Sequence, residues 1–132
     1  PSGAGKSTIA GFLNPKYEVL SDDLTFVRKI KSNYYLFQTP FIDKAWWVKK
    51  TTGLYQVKKL FFLNKSMEFK TKKVEDLEFI TKTMLSQVIA ATPRQKEFKE
   101  VFIFIKNFND FYNLYFAKDR EKTINLIGLI VK

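Results

Sequence analysis

The chain has 132 residues, 45% of them hydrophobic and 17% aromatic, which is enough for one core and too little for two ordinary domains. Lysine and arginine number 23 against 13 acidic residues, a net charge of +10, and there is neither cysteine nor histidine. Those two absences exclude disulfides, thiolate nucleophiles, imidazole bases and soft zinc-type sites, so proton transfer must fall to carboxylates, lysine, tyrosine or water.

The first eight residues, Pro1-Ser2-Gly3-Ala4-Gly5-Lys6-Ser7-Thr8, fit the pattern G-x-x-x-x-G-K-[ST] with its first glycine falling one position before Pro1. A triphosphate is a dense cluster of negative charge. A tight turn whose N–H groups converge on it, followed at once by a helix N-terminus, supplies donors and partial positive charge together. Gly3 and Gly5 permit the turn that Ser2 and Ala4 complete. Lys6 reaches the β- and γ-phosphates, Ser7 offers a hydroxyl to Mg²⁺, and Thr8 sits near the α-phosphate. The bland alternative is a glycine turn that caps a helix and binds nothing, but Ile9-Ala10-Gly11-Phe12-Leu13 continues as the helix after such a loop should. Because a phosphate loop normally leaves a buried strand, residues 1–132 read as a single, partial nucleotide-binding domain whose first strand lies ahead of Pro1.

Residues 7–13 are expected to form a short helix stopped by Asn14-Pro15, and residues 17–20 a buried strand coming back. About eight helical residues at roughly 1.5 Å each carry the chain about 12 Å out, and about four strand residues at roughly 3.3 Å each return it about 13 Å. Ser21-Asp22-Asp23 then arrives beside the loop. Alone, that triplet is ordinary turn material; next to a phosphate loop it becomes the expected acidic half of a site.

Residues 25–28 and 34–37 flank the polar Lys31-Ser32-Asn33 and read as a hairpin, broken by Thr39-Pro40-Phe41. A strand over 55–63 and a short extended piece over 69–74 follow. A helix over 75–91 rests on Leu77, Ile80, Met84, Leu85 and Val88. Thr92-Pro93-Arg94-Gln95 has the hydroxyl, proline and glutamine of a helix start. The helix it opens should run to about Asp110, with Phe98, Val101, Phe102, Ile105 and Phe108 on one face as core rather than ligand platform. Leu114-Tyr115-Phe116 reads as a strand, and Asp119 opens a terminal helix or tail.

Nine lysines and one acidic residue, Glu68, lie between Lys44 and Lys73, so this stretch carries +8. With Trp46, Trp47 and Tyr55 interleaved, a nucleic-acid groove is one reading, since bases stack on aromatics and lysines track phosphates. No RNA- or DNA-reading motif accompanies it, and nucleic acid is not the expected partner. An acidic acceptor would suit the same charges. No run reaches the roughly 20 apolar residues of a membrane span, the first residues do not read as a signal peptide, and a cytoplasmic setting is expected.

These features together resemble the HPr kinase/phosphorylase-like family of P-loop kinases, in its small bacterial members. Pro1 to Thr8 looks like the family's phosphate loop, and Leu20-Ser21-Asp22-Asp23, 16 residues after Lys6, like its double-aspartate motif. Thr39-Pro40-Phe41 looks like its loop after the hairpin, and Tyr112-Asn113-Leu114-Tyr115-Phe116-Ala117-Lys118-Asp119 like its closing strand. The resemblance spans nearly the whole chain, and the aspartate pair is its most selective part. It implies an α/β P-loop nucleotide-binding domain of the HPr kinase/phosphoenolpyruvate carboxykinase type, lacking its first strand or strands. It further implies ATP and Mg²⁺ as cofactors and phosphoryl transfer to a hydroxyl, a serine of a protein or peptide.

Carried over residue by residue, Lys6 and Ser7 hold phosphate and metal. Asp22 deprotonates or orients the acceptor hydroxyl and Asp23 holds Mg²⁺, directly or through water, the two roles being exchangeable. The chain departs from the family in having only Arg28, Arg94 and Arg120, so an arginine clamp is hard to place and Lys44, Lys49 and Lys50 are the cationic candidates. The alternatives are a nucleotide-dependent switch without an acceptor and a basic nucleic-acid module. Transporter ATPases and guanylate kinases share the loop, but the chain has neither an L-S-G-G-Q-like signature nor an arginine-rich segment after the loop.

Overall fold

The apolar residues sort onto the two faces of one small sheet, and that sorting sets the architecture. The computed structural model describes residues 3–40, 45–87 and 95–131, and over these the chain is mixed α/β with two three-stranded sheets and four helices. Ser2, Phe41, Lys44, Val88 and Thr92-Pro93-Arg94, all singled out above, lie outside the described residues.

Helix α1 (Lys6–Leu13) ends where a following proline forbids helical backbone: Asn14 is extended, with φ −75 and ψ 137. Strands β1 (Thr25–Ile30) and β2 (Asn33–Gln38) form the expected antiparallel hairpin, Thr25 opposite Gln38 and Ile30 opposite Asn33. The short β3 (Tyr55–Gln56) pairs on the other side of β2. There follow β4 (Leu60–Lys65), β5 (Lys70–Lys73), α2 (Leu77–Gln87), α3 (Gln95–Asn107), β6 (Phe111–Phe116) and α4 (Arg120–Ile130).

In the second sheet β6 is central, parallel to β4 and antiparallel to β5. Successive side chains of a strand point to opposite faces, and the two apolar clusters follow that period. Leu60 and Phe62 of β4 join Phe111 of β6 against Ile80 of α2, Phe104 and Ile105 of α3, and Phe108 just past its end. Phe61 and Leu63 join Leu114 and Phe116 against Ile9 of α1 and Ile127 of α4. Fully burying one such side chain contributes about 1.5–3 kcal/mol, so β6, with Phe111, Leu114 and Phe116 each nearly inaccessible, anchors both layers. Tyr34 of β2 reaches the first cluster, its ring edge-on to Phe104 at 4.6 Å, and joins the hairpin to the helices.

Three sequence expectations are corrected. Residues 17–20 form no strand: the Tyr17 N–H donates to the oxygen of Leu13, its ring packs into the second cluster, and the oxygen of Leu20 is taken by a side chain. The expected strand over 55–63 is two strands, because the chain changes sheets within it. The Val57 N–H still donates to Tyr34, whereas the Leu60 N–H donates to Asp110. On α3 the packed residues are Val101, Phe104 and Ile105, joined by Phe108 just past its end, while Phe98 and Phe102 face solvent. Asp119 does open a helix, its carboxylate accepting the Lys122 N–H at 3.0 Å. No helix among the described residues is long and apolar enough to cross a membrane.

Candidate functional site

Gly3 and Gly5 both have left-handed backbone, with φ 83 and φ 102, a conformation that costs glycine nothing and other residues appreciably. Gly5 caps α1, its oxygen accepting the Ile9 N–H at 3.0 Å. No side chain caps the helix there, and first-turn amides have no acceptor within their own helix. They carry the partial positive charge of the helix end. The ring of Phe116, at the end of β6, lies directly beneath Gly5 and sets the height of the turn.

The acidic turn is held from two sides. The Ser21 hydroxyl accepts the N–H groups of Asp23 and Leu24, both at 3.1 Å. From β2, the Gln38 amide donates to the oxygens of Leu20 at 2.5 Å and Lys49 at 2.7 Å, while its oxygen accepts the Thr51 N–H at 2.6 Å. One side chain therefore ties the turn to the loop ahead of β3. Asp22 is partly buried and Asp23 exposed.

Both features open onto one cleft of about 890 Å³. Gly3, Ala4, Gly5, Lys6, Ser7 and Thr8 line one side and Asp22 and Asp23 another. The remaining wall comes from the carboxyl ends of the parallel pair: Lys65 at the end of β4 with Ser66 and Met67 beyond it, and Phe116 at the end of β6 with Ala117 and Lys118 beyond it. Ser66 and Phe116 strap these ends together through an N–H···O bond of 2.9 Å. Ligands of open α/β sheets bind outside the carboxyl ends of the strands. That rule would have pointed to Lys65 and Lys118, which sequence reasoning missed because the parallel pairing of β4 with β6 leaves no mark in the residues. Lys49 and Lys50, weighed as cationic candidates, do not line this cleft; Lys50 lines a second one.

The cleft thus offers three ammonium groups, from Lys6, Lys65 and Lys118, two carboxylates, and the hydroxyls of Ser7 and Thr8. Ser7, Asp22 and Asp23 are oxygen donors of the kind a hard divalent cation requires. Among the described residues no group of three or more acidic side chains could hold a metal alone. A cation here would complete its shell with phosphate oxygens and water, as Mg²⁺ characteristically does.

Three lysines of the 44–73 stretch have separate roles. Lys59 donates to the oxygen of Ile130 at 2.9 Å, Lys65 lines the cleft, and Lys70 pairs with Glu68, whose carboxylate raises its pKa. No protein-family model, no curated protein and no solved structure matches this chain.

Proposed function

We propose that the cleft binds ATP with Mg²⁺ and transfers the terminal phosphoryl group to a hydroxyl, a serine of a protein or peptide, as a P-loop domain of the HPr kinase type. The observation that carries this reading is the shared cleft: a glycine loop leading into a helix and a pair of adjacent carboxylates face one space at the ends of two parallel strands. Its volume of about 890 Å³ falls in the range of roughly 300–1,000 Å³ typical of small-molecule sites.

Phosphoryl transfer asks mainly for positioning and charge neutralisation. The first-turn amides of α1 and the Lys6 ammonium hold the β- and γ-phosphates, and Lys65 and Lys118, which line the same cleft, offset further charge. Ser7 and Asp23 would hold Mg²⁺, which when bound neutralises charge on the transferred group. Asp22 takes the proton of the acceptor hydroxyl as its oxygen bonds to the γ-phosphorus and the bond to the departing diphosphate breaks. Met67, 90% exposed at the rim, offers apolar surface to a base.

The test is Mg²⁺-dependent ATP consumption with and without serine-bearing peptides, for the wild type, Asp22→Asn and Asp23→Asn. Peptide-dependent consumption that falls about 100-fold or more in each variant, with the circular dichroism spectrum unchanged, is expected. Undiminished turnover in both variants overturns the reading, and nucleotide binding without any turnover points instead to a switch.

A further inference from the structure

A second cleft, of about 590 Å³, lies on the β1–β2 hairpin and is walled by Arg28, Ile30, Phe37, Lys50 and Leu54 among others. The hairpin's cross-strand register puts Phe26 opposite Phe37, their ring centroids 5.4 Å apart, and Arg28 opposite Tyr35 on the same face. This face is turned away from Tyr34 and the core: Phe26 and Arg28 are exposed, and Leu54 is 56% exposed. Two cations, Arg28 and Lys50, and no carboxylate line the cleft among the described residues. Lys50 is held in place by donating to the oxygen of Thr39 at 3.3 Å. The occupant that complements such a wall carries negative charge and a large apolar side chain together, which a stretch of acidic polypeptide does and a small anion does not.

Gln38, at the end of β2, borders both this cleft and the acidic turn. It lines the second cleft, and its amide holds the oxygen of Leu20, two residues ahead of Asp22. A chain seated on the hairpin therefore lies next to the turn that faces the first cleft. The geometry points to the second cleft as the dock for the acceptor: an acidic polypeptide segment with a bulky apolar residue, whose serine extends past Gln38 toward Asp22. This assignment rests on the phosphoryl-transfer reading of the first cleft.

Binding can be read without nucleotide or Mg²⁺ by fluorescence anisotropy. The probes are a labelled heptapeptide Glu-Asp-Leu-Phe-Ser-Glu-Asp, its neutral counterpart Gln-Asn-Leu-Phe-Ser-Gln-Asn, and a labelled decathymidylate. The acidic peptide is expected to bind about tenfold more tightly than the neutral one, and to lose about tenfold in Arg28→Glu and in Leu54→Asp. Both positions are exposed, so folding is checked simply by circular dichroism. Equal binding of the two peptides, or acidic-peptide binding insensitive to both substitutions, overturns the dock. Tighter, Arg28-dependent binding of the oligonucleotide overturns it in favour of nucleic acid. Wild-type binding of a fluorescent ATP analogue is recorded separately. Dependence on Arg28 and Leu54 without any ATP binding supports the dock and sinks the transfer reading, whereas ATP turnover with indifferent peptide binding sinks the dock alone.

Discussion

The ring of Phe116 occupies the space a side chain on Gly5 would need: a Cβ built there would lie 2.6 Å from Cζ of Phe116. Phe116 is itself nearly inaccessible and has little room to retreat. Gly5→Ala therefore meets a steric clash and a strained φ of 102 together, and is expected to cost about 3 kcal/mol and most of the nucleotide affinity. Gly3→Ala, with nothing within 4 Å among the described residues, should cost about 1 kcal/mol from backbone strain alone. Gly11→Ala, in the open on α1, should stabilise by about 0.5–1 kcal/mol. Urea melts and nucleotide titrations of the three variants check this order.

Gln38 makes three hydrogen bonds to two separate loops. Gln38→Leu should destabilise by about 1–3 kcal/mol, since it leaves backbone groups unanswered. Because the tether holds the acidic turn and not the glycine loop, kcat should fall more than nucleotide affinity does. Gln38→Glu can still accept from Thr51 but cannot donate to Leu20 and Lys49, so it should not rescue. A variant with unchanged kcat would show that the turn holds its place without the tether.

Lys65 and Lys118 line the same cleft as the glycine loop. An exposed charge pair near 4 Å is worth about 1 kcal/mol in water. Lys118→Ala and Lys65→Ala should therefore each weaken ATP analogue binding about fivefold in dilute buffer. The loss should shrink in about 1 M salt, where screening is nearly complete. Titration at two ionic strengths measures both numbers.

Tyr34 carries its hydroxyl oxygen into the interior with no hydrogen-bond partner among the described residues. Burial raises its pKa above the usual 10.0. Above pH 10 the unfolded chain therefore gives up this proton while the folded chain retains it, and stability falls as pH rises through that region. Tyr34→Phe should raise stability by about 1 kcal/mol at neutral pH and remove this part of the alkaline loss. Urea midpoints of both proteins between neutral pH and about pH 11 test the sign.

Local chemistry made much of this fold readable. Asn14-Pro15 ended α1, Asp119 began α4, and the polar turn at Lys31-Ser32-Asn33 placed the hairpin. The glycine loop and Asp22-Asp23 were visible because short spacing patterns carry them, and the path-length argument brought them to one cleft even though residues 17–20 are not a strand. What escaped depends on tertiary partners. The apolar run through Val57 and Leu60 contains no sign that its hydrogen bonds switch from Tyr34 to Asp110. Phe102 and Phe104 are alike as residues, and only the direction from which β6 approaches α3 decides which is buried. Lys65 and Lys118 were hidden for the same reason: among 23 basic residues, only the pairing of β4 with β6 distinguishes them.

The parallel pairing of β4 with β6 also governs when the cleft can exist. Asn64 and Asn113, 49 positions apart, share an amide hydrogen bond of 3.0 Å across those strands. Closing so long a loop costs entropy before any contact compensates it. A nascent chain still on the ribosome, complete through α3, would possess the glycine loop and the acidic turn yet no floor between them. Only translation of β6 and of the turn into α4 brings in Phe116 and Lys118, so the finished site waits on residues made about a hundred positions after the glycine loop.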